Sequence, residues 1–263
     1  MNSTDLKKTG NLLLDLLRLP FVNPRGFRQV LGVARAQAEN VADPECDITS
    51  IQAVTIEDLI VEHGLPIPLT VHGFPQEAHS ISLIEAIALA VLMKKAGAKR
   101  VFEFGTHRGV STSQLVSNLP ADGGVITLDL PRTDRRTQFA IDNPGDIEVS
   151  QMPVKADLIP SELRGRVRFL EQDSATFDAA RFAGQMDFVF VDGAHTAEYV
   201  KNDSEKAWTM LRAEGIVAWH DCRPQTPDVV RYLRHCSYSP KRVVGGTIAF
   251  AVKTSQEQAS TFA

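Results

Sequence analysis

Cysteine is scarce in this chain of 263 residues: Cys46, Cys222 and Cys236 lie far apart and form no C-x-x-C pair. An odd, scattered set of thiols suits a reducing, cytoplasmic compartment. A basic excess is also missing. The net charge of −4 gives no electrostatic case for binding nucleic acid. No run is apolar enough for a transmembrane segment. The best one near the start, residues 12–19, is broken by Asp15 and Arg18. It is too short to span a bilayer and lacks the core and cleavage site of a signal peptide. Two readings of it stay open. The plainer is a helix packing on its own domain or on a second subunit, as in a homo-oligomer. The other is an amphipathic helix in peripheral contact with a membrane surface, since Arg18, Arg25 and Arg28 follow. Neither G-x-G-x-x-G nor the G-x-x-x-x-G-K-[ST] phosphate loop occurs at the glycine turn described next. Hydrophobic content of 43% and charged content of 23% are those of a globular protein, one large domain or one domain with an appendage.

The chain is organised around residues 101–112, VFEFGTHRGVST. An apolar run carrying Glu103 meets Gly105 and Gly109, and Ser111 and Thr112 then open a segment with helical apolar spacing. This is a strand, a tight turn and a helix N-terminus, and in an open α/β sheet a ligand sits off the carboxyl end of such a strand. Gly105 permits the turn and Gly109 a close approach of backbone to ligand. No lysine is placed to grip phosphates, and a carboxylate at the strand end suits a positive or donor-rich ligand.

The next strand, 125–130, delivers Asp129, which lies 20 positions beyond Gly109. That is near the offset at which a dinucleotide fold places the acid that binds ribose hydroxyls. Residues 131–165 make a long, charged, proline-bearing connection with room for a short helix near 161–164. Its Arg132, Arg135 and Arg136 read either as contacts to an anionic acceptor or, more simply, as a solvated face. A third strand at 167–170 ends in Gln172, Asp173 and Ser174, short polar groups suited to an adenine edge.

Residues 187–222 form a second focus. The continuous apolar strand 187–191 is of the kind buried on both faces of a parallel sheet, and it ends in Asp192-Gly193-Ala194-His195. A helix over 196–212 follows, then strand 216–219 and His220-Asp221-Cys222. Two neighbouring parallel strands, about 4.8 Å apart, thus each bring an Asp and a His to one crevice. Asp192, Asp221 and His220 are candidate ligands for a hard divalent ion such as Mg²⁺. Such an ion would lower the pKa of a bound hydroxyl, and His195 is placed to take the proton.

Around these foci, the spacing predicts a buried helix over 80–95, a capped helix beginning at Thr55, a loop over 63–76, a helix over 228–235 and a hairpin of 241–244 with 247–253 turning at Gly245-Gly246. Residues 12–19 and 27–38 read as helices separated by the breakers Pro20 and Pro24.

From residue 80 to 252 the order of elements and strand-end residues resembles class I S-adenosylmethionine (SAM) methyltransferases. Within them it is similar to a bacterial family carrying D-G-x-H, a helix, then G-I/V-x-x-x-H-D, related to metal-dependent O-methyltransferases. The resemblance implies a Rossmann-like, doubly wound α/β fold of seven strands with the last antiparallel, over residues 76–263, preceded by a helical N-terminal extension over 1–75. It implies SAM as cofactor, Mg²⁺ as a candidate second one, and a small-molecule or glycan hydroxyl as acceptor. Carried over, Glu103, Gly105, Thr106, Gly109, Ser111 and Thr112 shape the methionine side of the SAM site. Asp129 meets the ribose, and Asp173 and Ser174 the adenine. Asp192, Asp221 and His220 hold metal, and His195, with His220 and Asp192, does the chemistry. One departure stands out: catechol-type enzymes have an amide after the second metal aspartate, where this chain has Cys222. N-methylation, a phenol acceptor, a binding subunit without chemistry and a dehydrogenase are the rival readings. The glycine spacing disfavours the last.

Overall fold

A computed structural model describes residues 44–254 apart from 65, 74–78, 132, 134 and 153–155. The helices expected at 12–19 and 27–38, and Arg132, lie outside the described residues. In chain order the elements are β1 (Gln52–Val54), α1 (Ile56–His63), α2 (Leu83–Lys95), β2 (Arg100–Phe104), α3 (Val110–Ser117), β3 (Gly124–Asp129), α4 (Pro144–Gln151), β4 (Val167–Glu171), β5 (Met186–Val191), α5 (Ala197–Met210), β6 (Leu211–Trp219), α6 (Pro227–His235), β7 (Lys241–Val243) and β8 (Ala249–Val252).

These strands form one sheet of order β1-β7-β8-β6-β5-β2-β3-β4. β8 runs antiparallel to both its neighbours, and the other pairings are parallel. The α/β class and the antiparallel last strand are as the sequence implies. The eighth strand is β1, which comes from the N-terminal stretch read as helical. It escaped notice because three residues are too few to show a period of two.

The alternation of side chains along the central strands divides the core between the two faces. Val101, Phe188, Phe190, Ile216 and Ala218 pack with α2 on one side. Phe102, Phe104, Val189, Val217 and Trp219 pack with α5 and α6 on the other. Helix α2 begins at a capping box in which Ser82 and Glu85 exchange side-chain and backbone bonds. Helix α3 turns buried amides outward to the loop before α2. Asn118 and Gln114 each both donate to and accept from the backbone of that loop, at Thr70 and His72.

Three local differences from the expected elements have physical causes. β6 starts at Leu211, directly after α5, because Gly215 sits at an irregularity in the β5–β6 register and does not end a loop. The β7–β8 connection is five residues, Val244–Ile248, longer than a two-residue turn, because Val243 N–H pairs with the Ile248 carbonyl. The long connection after β3 holds α4, capped by Asn143 with Pro144 in the first turn, while the helix expected near 161–164 is a 3₁₀ turn at Arg164–Arg166. Among the described residues no helix is long and apolar enough to cross a membrane.

Candidate active site

The sheet order reverses between β2 and β5, and a cavity of about 630 Å³ opens over the carboxyl ends of the strands there. Gly105 makes its floor possible. Its φ is +90°, and a Cβ would lie 2.1 Å from the Asp192 carbonyl oxygen. Thr106 and Ser111 line the cavity, with Asp129, Asp173 and Ser174 across from them. Asp129 Oδ2 accepts the N–H groups of Thr106 (2.9 Å) and His107 (2.8 Å), and Oδ1 accepts that of Leu130 (2.7 Å). The carboxylate therefore fixes the glycine turn to the end of β3, with acceptor capacity left for a ligand hydroxyl. Asp173 accepts from the Tyr199 hydroxyl (2.9 Å), the Ala175 N–H and the Gln138 N–H.

Three residues expected at the cofactor do not line the cavity. Glu103 is wholly buried beneath the turn and accepts from the Thr112 hydroxyl at 2.5 Å. Burial pushes its carboxyl up to about 7 against the hydroxyls of Ser111, Thr112 and Thr127. Thr112 points to Glu103, away from the opening. Gly109, at φ +83°, makes room for Ile159 of its own chain, since a Cβ would lie 2.5 Å from Ile159 Cγ1.

At the other end of the cavity β5 and β6 end level, Val191 opposite Trp219, so Asp192 and His220 face each other. His220 Nδ1 lies 2.9 Å from Asp192 Oδ1, and His220 Nε2 lies 3.4 Å from Glu85 Oε2. Both ring nitrogens are thus turned to carboxylates. Burial works against a charge on this ring, yet Asp192 and Asp221 hold its pKa well above the ordinary value. His220 is therefore engaged by carboxylates at both nitrogens, unlike the free imidazole nitrogen expected of a metal ligand or proton acceptor.

His195 takes its place. Its backbone N–H donates to Asp146 Oδ2 (2.7 Å) and its Nδ1 meets Asp146 Oδ1 at 2.6 Å, so α4 clamps both ring and backbone. Its Nε2 lies 2.9 Å from Asp221 Oδ2, out of hydrogen-bond alignment and buried without a hydrogen-bond partner. Burial opposes charge here too, but Asp146 and Asp221 raise this histidine to about 10. Asp221 itself, at φ +56°, is held well below the usual carboxylate range by His220 and His195, which outweigh its burial.

Asp192, His195 and Asp221 each bring one ligand atom within 4.8 Å of the others. Two carboxylates and an imidazole, with a buried nitrogen lacking a hydrogen-bond partner among them, fit a divalent cation of the Mg²⁺ or Mn²⁺ kind. Cys222 takes no part. Burial pushes its thiol up to about 12, and it packs in the core. Arg135 is half-buried at the cavity wall, donating to the Val149 and Ser150 carbonyls of α4, and does not lie on a solvated face.

Sequence reasoning missed Asp146, Glu85, Tyr199 and Asp203, which all line the cavity. Asn143-Pro144 was a readable start for α4, and Ser82-x-x-Glu85 a readable capping box. Nothing local pointed to Tyr199 or Asp203, which face the cavity from α5.

A sequence-family model described as a methyltransferase domain matches residues 102–222. Tricin synthase 1 of Oryza sativa subsp. japonica is 32% identical over 148 residues, which cover 56% of this chain and 53% of that protein. The chain thus spans about half the length of this curated relative. Two solved structures align with much of the chain at low identity. The O-methyltransferase TomG from Streptomyces achromogenes, in complex with SAM, has a TM-score of 0.47 at 17% identity, over 81% of this chain and 91% of that one. The O-methyltransferase from Bacillus cereus, in complex with SAH, has a TM-score of 0.47 at 17% identity, over 75% and 90%. The family match supports the resemblance to class I SAM-dependent methyltransferases read from the strand-end residues.

Proposed function

We propose that this chain, with its methyltransferase-domain match over residues 102–222, transfers a methyl group from SAM to a hydroxyl oxygen of a sugar or other small metabolite. One observation carries the reading. The glycine turn with Asp129 and the group Asp192, His195 and Asp221 open into the same cavity. A cofactor held at the first end is therefore within reach of an acceptor held at the second.

In this reading Asp129 accepts from a ribose hydroxyl, and Asp173 and Ser174 border the adenine. The acceptor oxygen attacks the methyl carbon of the sulfonium. The new O–CH₃ bond forms as the S–CH₃ bond breaks, S-adenosylhomocysteine leaves, and the acidified hydroxyl gives its proton to water in the cavity. The sulfonium is already reactive, so holding donor and acceptor in line supplies much of the rate. Asp192, His195 and Asp221 would hold a divalent ion, which supplies positive charge that lowers the pKa of the acceptor hydroxyl. His195 serves better as ligand than as base, because Asp146 and Asp221 keep a proton on it that a bound cation would displace. Asp146 then fixes its ring through Nδ1.

Calorimetric titration with SAM, with and without Mg²⁺ and with NAD⁺ as control, tests this. Binding of SAM, with affinity or heat altered by Mg²⁺, is expected. A folded protein that binds no SAM under either condition would sink the reading.

A further inference from the structure

Glu85 lies outside the family match, on α2, yet it reaches the cavity with its carboxylate fully committed. It is 5% exposed. Its Oε1 accepts the Thr247 N–H and the Thr247 hydroxyl, both at 2.7 Å. Its Oε2 accepts the Ser82 N–H at 2.7 Å and faces His220 Nε2 at 3.4 Å. The β7–β8 loop is shaped to admit it: a Cβ on Gly246 would lie 2.7 Å from Glu85 Cγ. One side chain thus joins the start of α2, the loop that walls the cavity, and the imidazole whose other nitrogen sits on Asp192.

We infer that Glu85 is a positioning residue for the candidate metal group: it holds His220 against Asp192 and thereby sets the direction of the Asp192 carboxylate. The inference rests on the methyl-transfer reading of the cavity. A helix-cap glutamate needs only Ser82. The contacts to Thr247 and His220 are beyond what a cap requires, and they run toward Asp192, away from the cofactor end. Partners that orient a ligand carboxylate govern metal affinity nearly as strongly as the ligands do.

The test is Mn²⁺ titration of the full chain followed by electron paramagnetic resonance, with SAM affinity and melting temperature measured alongside. Glu85→Ala is expected to weaken Mn²⁺ binding about tenfold. SAM affinity should stay within about twofold, because sites without shared partners act independently. The same substitution in a His220→Ala background is expected to change Mn²⁺ affinity by less than about twofold, since its route to Asp192 is gone. If Glu85→Ala does not fold, Glu85→Gln enters the same cycle.

Unchanged Mn²⁺ affinity in the Glu85 variant, equal losses in both backgrounds, or joint collapse of SAM affinity and melting temperature would each overturn the inference. A wild-type chain that binds SAM but no Mn²⁺ overturns it and leaves the methyltransferase reading standing. One that binds neither overturns both.

Discussion

A methyl group at Gly105 would lie 2.1 Å from the Asp192 carbonyl oxygen, in a backbone conformation of φ +90°. The clash is with backbone, so no side-chain rotation relieves it, and β2 and β5 would have to part at the point where the cavity begins. Gly105→Ala is expected to cost about 2–4 kcal/mol of stability and to abolish SAM binding, as read by thermal unfolding and calorimetry. Asp129 is a milder case, because two of its three accepted bonds come from the turn itself and the third from the neighbouring Leu130. Asp129→Ala should weaken SAM binding by loosening the turn as well as by losing the ribose acceptor. Since buried backbone N–H groups would be left without a partner, a loss of about 1–3 kcal/mol of stability should accompany it. A variant that loses SAM affinity at full stability would assign Asp129 to the ligand alone.

Helix α4 shows how an element can bring chemistry from outside the strand ends. Among its residues Asp146 is buried, and both its oxygens engage His195. Asp146→Ala is expected to lower kcat by about 10–100-fold while leaving the KM for SAM unchanged. A rise in the KM for SAM at constant kcat would place α4 at the cofactor instead. The legibility of the site follows the same division between elements. Asp192, His195, His220 and Asp221 could be read because they follow apolar strands at once, so position in sequence determines position in space. His220 shows the limit of that reasoning. Its place was legible, but its contact with Glu85 spans 135 positions of sequence. Glu103 misled for a related reason. A strand-end carboxylate points either into the cavity or under the turn, and the hydroxyls of Ser111 and Thr112 decided for the latter. The fold class was legible because the central parallel strands β2, β5 and β6 each carry a buried apolar run, whereas β1 is held by its pairing with β7 and by nothing in its own composition.

Across the whole molecule, buried carboxyls set the pH at which the fold is most stable. Glu103 and Asp203 are each raised by burial to about 7. In the unfolded chain such groups lose their protons near pH 4. Between about pH 4 and 7 these carboxyls bind more protons in the folded state than in the unfolded one, and stability falls as pH rises through that window; His195, raised to about 10, carries the fall on above about pH 6.5. Asp187 is shifted the other way. The N–H of Arg100, the Arg212 side chain and the N–H of Lys99 outweigh its burial and hold it below the usual range. Its contribution is present above pH 4 and is lost as pH falls further. Together these place the stability maximum on the acid side of neutral. Glu103→Gln isolates one component, because the amide cannot titrate. For a shift of this size the component is on the order of 3 kcal/mol across the window. Melting temperatures of the ligand-free chain, taken from pH 4.5 to 8, should fall with pH in the wild type and fall less steeply in Glu103→Gln. Parallel curves for the two proteins would mean that Glu103 is already ionised at pH 5. In that case the hydroxyls of Ser111, Thr112 and Thr127 would outweigh the cost of its burial, and a fixed negative charge would lie beneath the glycine turn.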